Sequence, residues 1–268
     1  MSATSNHLPP ESQFSRLART RKATPILTTF SLFLFGFFVF VVMLTFVDMR
    51  LINGISVWDK PAKFLLALGV HGLTLAFGIS LLSTAIQQTK GIRRASYVFV
   101  FSSTAEMLWI GYNAYLGQAS HFNNSDALHA IMYPLMGVGA VSLTAVTIFL
   151  GWKILKSDTS IMTYATGTGF ILSGILTTVV AGYMSSTNGH SVGGDISDAS
   201  GLAFFYWSTT GGDLRVPHFA ALHLAQAIPF AAWLMPDRRL INVTLFASVL
   251  LVIALFSQAS LGIPFIKV

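Results

Sequence analysis

The sequence predicts an all-α fold, a polytopic membrane bundle of seven transmembrane helices with the N-terminus in the cytoplasm and the C-terminus outside. Three observations carry this. Hydrophobic residues make up 53% of the 268 and charged residues 10%, with a mean hydropathy of +0.67, outside the soluble globular range. Seven windows approach the roughly 20 apolar residues that cross a bilayer. The basic residues then sort by side when those windows are threaded through a membrane.

Taken in order, residues 1–24 form a cytoplasmic tail with Arg16, Arg19, Arg21 and Lys22. The apolar run behind it, 25–47, lacks a small-x-small cleavage site and reads as a retained first span. The remaining spans are 64–86, 96–117, 130–152, 161–183, 217–235 and 240–262, so 25–268 is one membrane domain. The inner loops, "QQTKGIRRAS", "KSDTS" and "PDRR", are short. They, the tail and Lys153 just ahead of "KSDTS" account for eleven of the sixteen Lys and Arg residues, while Arg50, Lys60, Lys63, Arg215 and Lys267 fall outside. That asymmetry sets the orientation and removes nucleic acid as a reading of the net charge of +6.

The outer loops are longer. The largest, 184–213, is rich in Gly, Ser and Asp yet contains "LAFFYW", which suggests that it folds back onto the bundle or rests in an ordinary aromatic belt. Zero cysteines exclude disulfides, thiolate nucleophiles and Cys-ligated metals. Neither H-x-x-x-H nor H-E-x-x-H occurs, and there is no P-loop, Rossmann glycine pattern or G-x-S-x-G.

Chemistry therefore concentrates on the outer side. Of seven histidines, His71, His121, His129, His190, His218 and His223 lie on or near it, and His7 sits in the tail. Glu106 is the only carboxylate well inside a span, about 16 Å from its outer end at 1.5 Å per residue. An isolated glutamate in lipid stays protonated or finds a partner. Glu106, His71 and His223 lie at similar depth and form a candidate buried cluster. The plain alternative is that each histidine hydrogen-bonds a neighbouring helix. His223 and Gln226 share a face, whereas His218 points elsewhere.

Spans two, four and six begin outside, so their positive dipole ends converge there. Asp213 is placed to cap span six, with Pro217 in its first turn, Pro61 plays a similar part at span two, and Ser125 or Asp126 can cap span four. Lys60, Lys63, Arg215 and His218 stand at those ends, where an anionic group is welcome; snorkelling to lipid phosphates is the plain alternative. "DKPAKFLLALGVH" at span two and "DLRVPHFAALH" at span six also echo one another, as a chance match or as parallel repeats.

"SVWDKPAKF", "SHFN", "NGHSVGG" and "YWSTTGGDLRVPHFAALHLAQAIP" give the chain a resemblance to an uncharacterised family of bacterial multi-span inner-membrane proteins. Its members carry P-W-x-K-P-x-K-F, S-H-F-N, G-H-x-V-G and W-S-T-x-G-G-D-L-R-V-x-H-F-x-G-L-H-x-L-Q, in that order, over about residues 50–235. The resemblance implies an inner-membrane location and a list of positions, but no activity. Those positions are Lys60, Pro61, Lys63 and Phe64; Ser120, His121, Phe122 and Asn123; Gly189, His190 and Gly193; and Trp207, Gly212, Asp213, Arg215, His218, His223 and Gln226. Glu106 matches an acid of the third span. Where relatives show Gln-Ala-x-Arg-Gly, this chain has Asn113 and Leu116, which weakens the case for a strict anion clamp.

Two functional readings follow. In the first, the bundle holds haem b or a His-ligated transition metal, with His71, His121, His190, His218 and His223 as candidate ligands and Lys60, Lys63, Arg215 and Gln226 holding the cofactor. Glu106, Asp213 and Arg215 are then the candidate catalytic groups of a membrane oxidoreductase, and a small anionic ligand or a quinone its partner. In the second, the protein is a small-molecule or proton-coupled transporter, or a ligand-sensing module, with Glu106 and the histidines as proton relay.

Overall fold

The computed structural model describes residues 20–123, 125–195 and 197–267. His7, Arg16 and Arg19 of the basic tail lie outside them. Among the described residues there are seven long helices: α1 (Pro25–Leu44), α2 (Asp59–Ser80), α3 (Lys90–Leu116), α4 (Ala127–Leu155), α5 (Ile161–Ser186), α6 (Arg215–Leu234) and α7 (Arg238–Ser260). Five of them, α1, α2, α4, α5 and α7, are long and apolar enough to cross a membrane. The other two coincide with expected spans three and six. They are less apolar because α3 carries Arg93, Arg94, Glu106 and Asn113, and α6 carries Arg215, His218, His223 and Gln226.

The expected second span, 64–86, is shifted in the structure. The chain enters helix at Asp59, leaves it at Ser80, and forms a separate turn of helix at Thr84–Gln87. The early start follows from Pro61, whose missing N–H costs nothing in a first turn and whose fixed φ suits it.

Each helix packs against its neighbours in sequence, and α2 additionally touches α4 and α5. Leu75, Ile79, Phe99, Leu150, Ile154 and Phe170 fill the space between α2, α3, α4 and α5. Leu224 and Ile228 of α6 pack with Val180 of α5 and Val252 of α7 in a second cluster. The α4–α5 approach depends on glycine, since a Cβ on Gly151 would stand 2.7 Å from the Gly167 carbonyl oxygen. Large side chains on the opposite faces, Phe33, Phe101, Leu108 and Phe246 among them, stay exposed, as lipid-facing positions do.

The loops gather at two ends. At one, the hairpin β1 (Leu51–Ile52) and β2 (Ile55–Ser56) meets the long loop, where Asp198 N–H donates to the Asn53 carbonyl at 3.1 Å. The same loop supplies β3 (Ser191–Val192) and β4 (Gly212–Asp213), and Gly212 is pressed against the Ala259 backbone of α7. At the other end, Ile86, Thr89 and Gly91 line a cavity with Phe149, Trp152 and Lys156. The bundle therefore has an elaborate end and a plain, basic end.

Candidate functional site

Glu106, on α3, is 4% exposed. Its neighbour on α4 is Gly139, where a Cβ would stand 3.1 Å from Oε1, so the absence of a side chain makes room for the carboxyl group. Among the described residues neither Glu106 oxygen has a hydrogen-bond partner. The nearest base is His121, whose Nε2 lies 3.9 Å from Oε2. His121 comes from the loop after α3, which folds back along the helix and is pinned where Trp109 Nε1 donates to the Ser120 carbonyl at 2.8 Å.

The tautomer of His121 follows from its other contact. Lys60 Nζ stands 3.2 Å from Nδ1, and an ammonium only donates, so Nδ1 accepts and Nε2 carries the proton toward Glu106. Ser120 Oγ, 3.1 Å away, crowds the same nitrogen. Burial first, and the Lys60 charge second, push His121 down to about 3. The next residue, Phe122, sits at φ 54°, an uncommon conformation for a bulky side chain and one that holds the imidazole inward. Lys60, His121 and Glu106 thus form a line from the loop end into the bundle.

His71 is in a second cluster. It is 7% exposed, with Nε2 2.9 Å from Thr147 Oγ1 of α4 and its ring 5.8 Å from that of Phe99. Gln226 Nε2 donates to Thr74 Oγ1 at 2.9 Å, joining α6 to α2. His71 and His223 each precede a member of that pair by three residues, so they sit at one level. His218 lies five residues nearer the start of α6. His223 Nδ1 is satisfied by the Phe219 carbonyl at 2.8 Å. Of the expected trio, Glu106 has His121 as its neighbour, while His71 and His223 stand level on α2 and α6.

Asp213 and Arg215 differ from both. Asp213 is 1% exposed; it accepts from the Ser208 N–H at 2.9 Å and the Arg215 N–H at 2.9 Å, and the Arg215 guanidinium lies 2.7 Å away. Arg215 also reaches Asp198 at 2.9 Å and the Tyr206 carbonyl. Leu214 occupies the N-cap of α6, one residue later than expected, because Asp213 is held in β4 by this pair. At α4 the expectation holds: Asp126 caps the helix, accepting from the His129 N–H at 3.0 Å. His190 lies 3.8 Å from Asp213 and is pulled down by burial foremost, then by Arg215.

The aromatic run folds back onto the bundle. Phe205 stacks on Trp207 at 4.4 Å, and both rings pack against Phe219 of α6 at 5.4 Å. Lys63 Nζ donates to the Phe205 carbonyl at 3.3 Å and lies 3.9 Å from the centre of the Tyr206 ring. Phe204 and Tyr206 have φ of 69° and 59°, so the cover over the site is locally strained.

Among the described residues nothing supports the metal or haem ligation expected of His71, His121, His190, His218 and His223. Among the described residues no group of three or more His, Asp or Glu side chains is placed to hold a metal ion. One nitrogen of His121 faces an ammonium, and one of His223 is committed to a carbonyl. Arg215 is likewise answered by Asp213 and Asp198, which leaves Lys60 and Lys63 as the cations of the mouth.

Sequence reasoning passed over two groups. Asp198 pairs with Arg215 across the long loop, a contact with no local signal. His129 bridges Asp126 at 2.7 Å and Asn113 at 2.8 Å and tethers α4 to α3; Asp126 beside the first turn of a helix could have pointed to it. No family model matches the chain, and no curated protein or solved structure is similar to it.

Proposed function

We propose that the protein is a proton-coupled carrier of the bacterial inner membrane, with seven spans, N-terminus in the cytoplasm and C-terminus outside, that takes a small anionic solute from the outer face. The observation that carries this reading is Glu106: a buried carboxyl group free of hydrogen bonds among the described residues, 3.9 Å from a histidine whose far nitrogen meets Lys60. A buried carboxylate is costly unless it is paired or protonated, so a free one is a site of proton exchange. Lys60 and Lys63, at the start of α2, supply the positive charge that an anion needs. The strained aromatic cover supplies a lid. The motif family resembled by the sequence fits the same placement, because its positions fall on this end.

The haem or metal reading draws no support from the described residues, among which no group of three or more His, Asp or Glu side chains is placed to hold a metal ion. The carrier reading is tested with detergent-purified protein titrated with succinate and with inorganic phosphate, following fluorescence of Trp207 and Trp58 beside the lid. One of the two anions is expected to give a saturable change that Lys60→Gln weakens at least about tenfold, the effect of removing one charged contact. A response to neither anion, or the same response in Lys60→Gln, overturns the reading.

A further inference from the structure

Buried polar atoms nearly always find partners, so the exceptions ask for an explanation. Among the described residues, unpartnered buried side-chain atoms include Thr24 Oγ1, Ser31 Oγ, His71 Nδ1, Ser103 Oγ and both Glu106 oxygens. They belong to the entry to α1, to α1 itself, to α2 and to α3, and they are graded in height. Measured from the basic end at about 1.5 Å per residue, Ser31 lies about 9 Å in, His71 about 14 Å, Ser103 about 20 Å and Glu106 about 24 Å. Thr24 precedes the first residue of α1 and stands at the basic end itself.

The groups also share neighbours. A Cβ added to Gly72, next to His71, would collide with Ser31 Oγ and stand 3.2 Å from the Phe99 ring. The His71 ring lies 5.8 Å from that same ring. Ser103 follows Phe99 by one turn of α3, and Glu106 follows Ser103 by another. Above Ser31, successive steps of about 4–6 Å in height suit one or two waters between hydrogen-bonding groups, and the step of about 9 Å from Thr24 to Ser31 takes a longer chain of them. Phe99, fully buried, stands level with His71 and one turn below Ser103 as an apolar constriction.

We propose that Thr24, Ser31, His71 and Ser103 hold a file of water that carries protons between Glu106 and the basic end of the bundle. This deepens the carrier reading and rests on its assignment of Glu106 as the proton-exchanging group. Glu106 faces His121, behind which Lys60 leads to the outer mouth, and His71 faces Thr147. One proton leaves the file for each that enters, so each event moves one positive charge across the bundle. The remaining orphaned atoms, on Thr166, Thr177, Gln226 and Ser260, belong to α5, α6 and α7 and form no part of this path.

The test uses full-length protein in phosphatidylcholine–phosphatidylglycerol vesicles loaded with pyranine, with a potassium gradient and valinomycin to balance charge. Proton flux above that of protein-free vesicles is expected. Ser103→Val and Ser31→Val, which fill the path, each lower it at least about tenfold, equivalent to 1.4 kcal/mol of barrier. Ser103→Ala, which leaves room for water, and Thr177→Val, which lies off the path, keep it. All four variants retain the anion response of tryptophan fluorescence, which shows that they fold. Flux that survives both path-filling valines, or falls equally in Thr177→Val, overturns the path. Flux that obeys the pattern in a protein that answers neither succinate nor phosphate leaves the path standing and removes the carrier reading.

Discussion

Two buried carboxylates lie toward the same end of this bundle and are treated in opposite ways. Asp213 has a guanidinium, two backbone N–H groups and a nearby histidine. Glu106, on α3 deeper in the bundle, has a glycine opposite and a histidine just beyond hydrogen-bond range. Removing a partner from a satisfied buried charge is expensive, whereas changing a group that holds nothing is cheap. Asp213 and Arg215, expected as catalytic candidates, fasten the long loop to α6, whereas Glu106 has no hydrogen bond among the described residues and, in the proposed function, exchanges a proton.

The comparison is broken most directly by cutting the satisfied pair. Arg215→Ala leaves Asp213 and Asp198 without their cation, and about 3–5 kcal/mol of stability is expected to go, the usual toll of an uncompensated buried charge. Thermal unfolding in detergent measures it; a change within about 0.5 kcal/mol, the range of ordinary surface substitutions, would contradict the structural role. A smaller effect belongs to the tether between α3 and α4. His129→Ala strands Asn113, buried beside it, and about 1–3 kcal/mol is the expected loss.

Acidification probes the free site itself. His121 titrates at about 3 in the folded protein against 6.5 unfolded, so the unfolded chain binds the proton first as pH falls. Stability is therefore lost between those values on acidification, by at most about 1.4 kcal/mol per pH unit from this group. Replacing Lys60 by Gln removes the second cause of the depression and is expected to flatten that slope. A slope unchanged in Lys60→Gln would separate the two residues. The smallest effect on stability is expected from Glu106→Gln, under about 1 kcal/mol, because no hydrogen bond is lost. A large drop in its unfolding temperature would show that Glu106 is held after all.

Much of this architecture is legible in the sequence, because apolar windows and basic loops report directly on helices and their ends. Even α3 and α6, the two less apolar helices, stand out between turn-rich segments such as "QQTKGIRRAS" and "STTGGD". The capping of α4 by Asp126 is equally local. What is not legible is which helices touch. The Gln226–Thr74 bond that sets His71 level with His223 joins residues from distant parts of the chain. The approach of His121 to Glu106 needs a loop that doubles back through a left-handed Phe122, a conformation that no propensity would assign to phenylalanine. Equal depth along separate helices pointed to Glu106, His71 and His223 together, but His71 is level with Phe99, two turns of α3 below Glu106, and a loop histidine is the neighbour of Glu106 instead.

The decisive measurement is proton flux into pyranine-loaded vesicles carrying wild-type protein or Glu106→Gln, with unfolding temperatures recorded on the same preparations. Flux lost in a variant that unfolds within a few degrees of wild type is the predicted result, since the carboxyl group exchanges protons and supports nothing. Undiminished flux in Glu106→Gln would contradict the account at its centre.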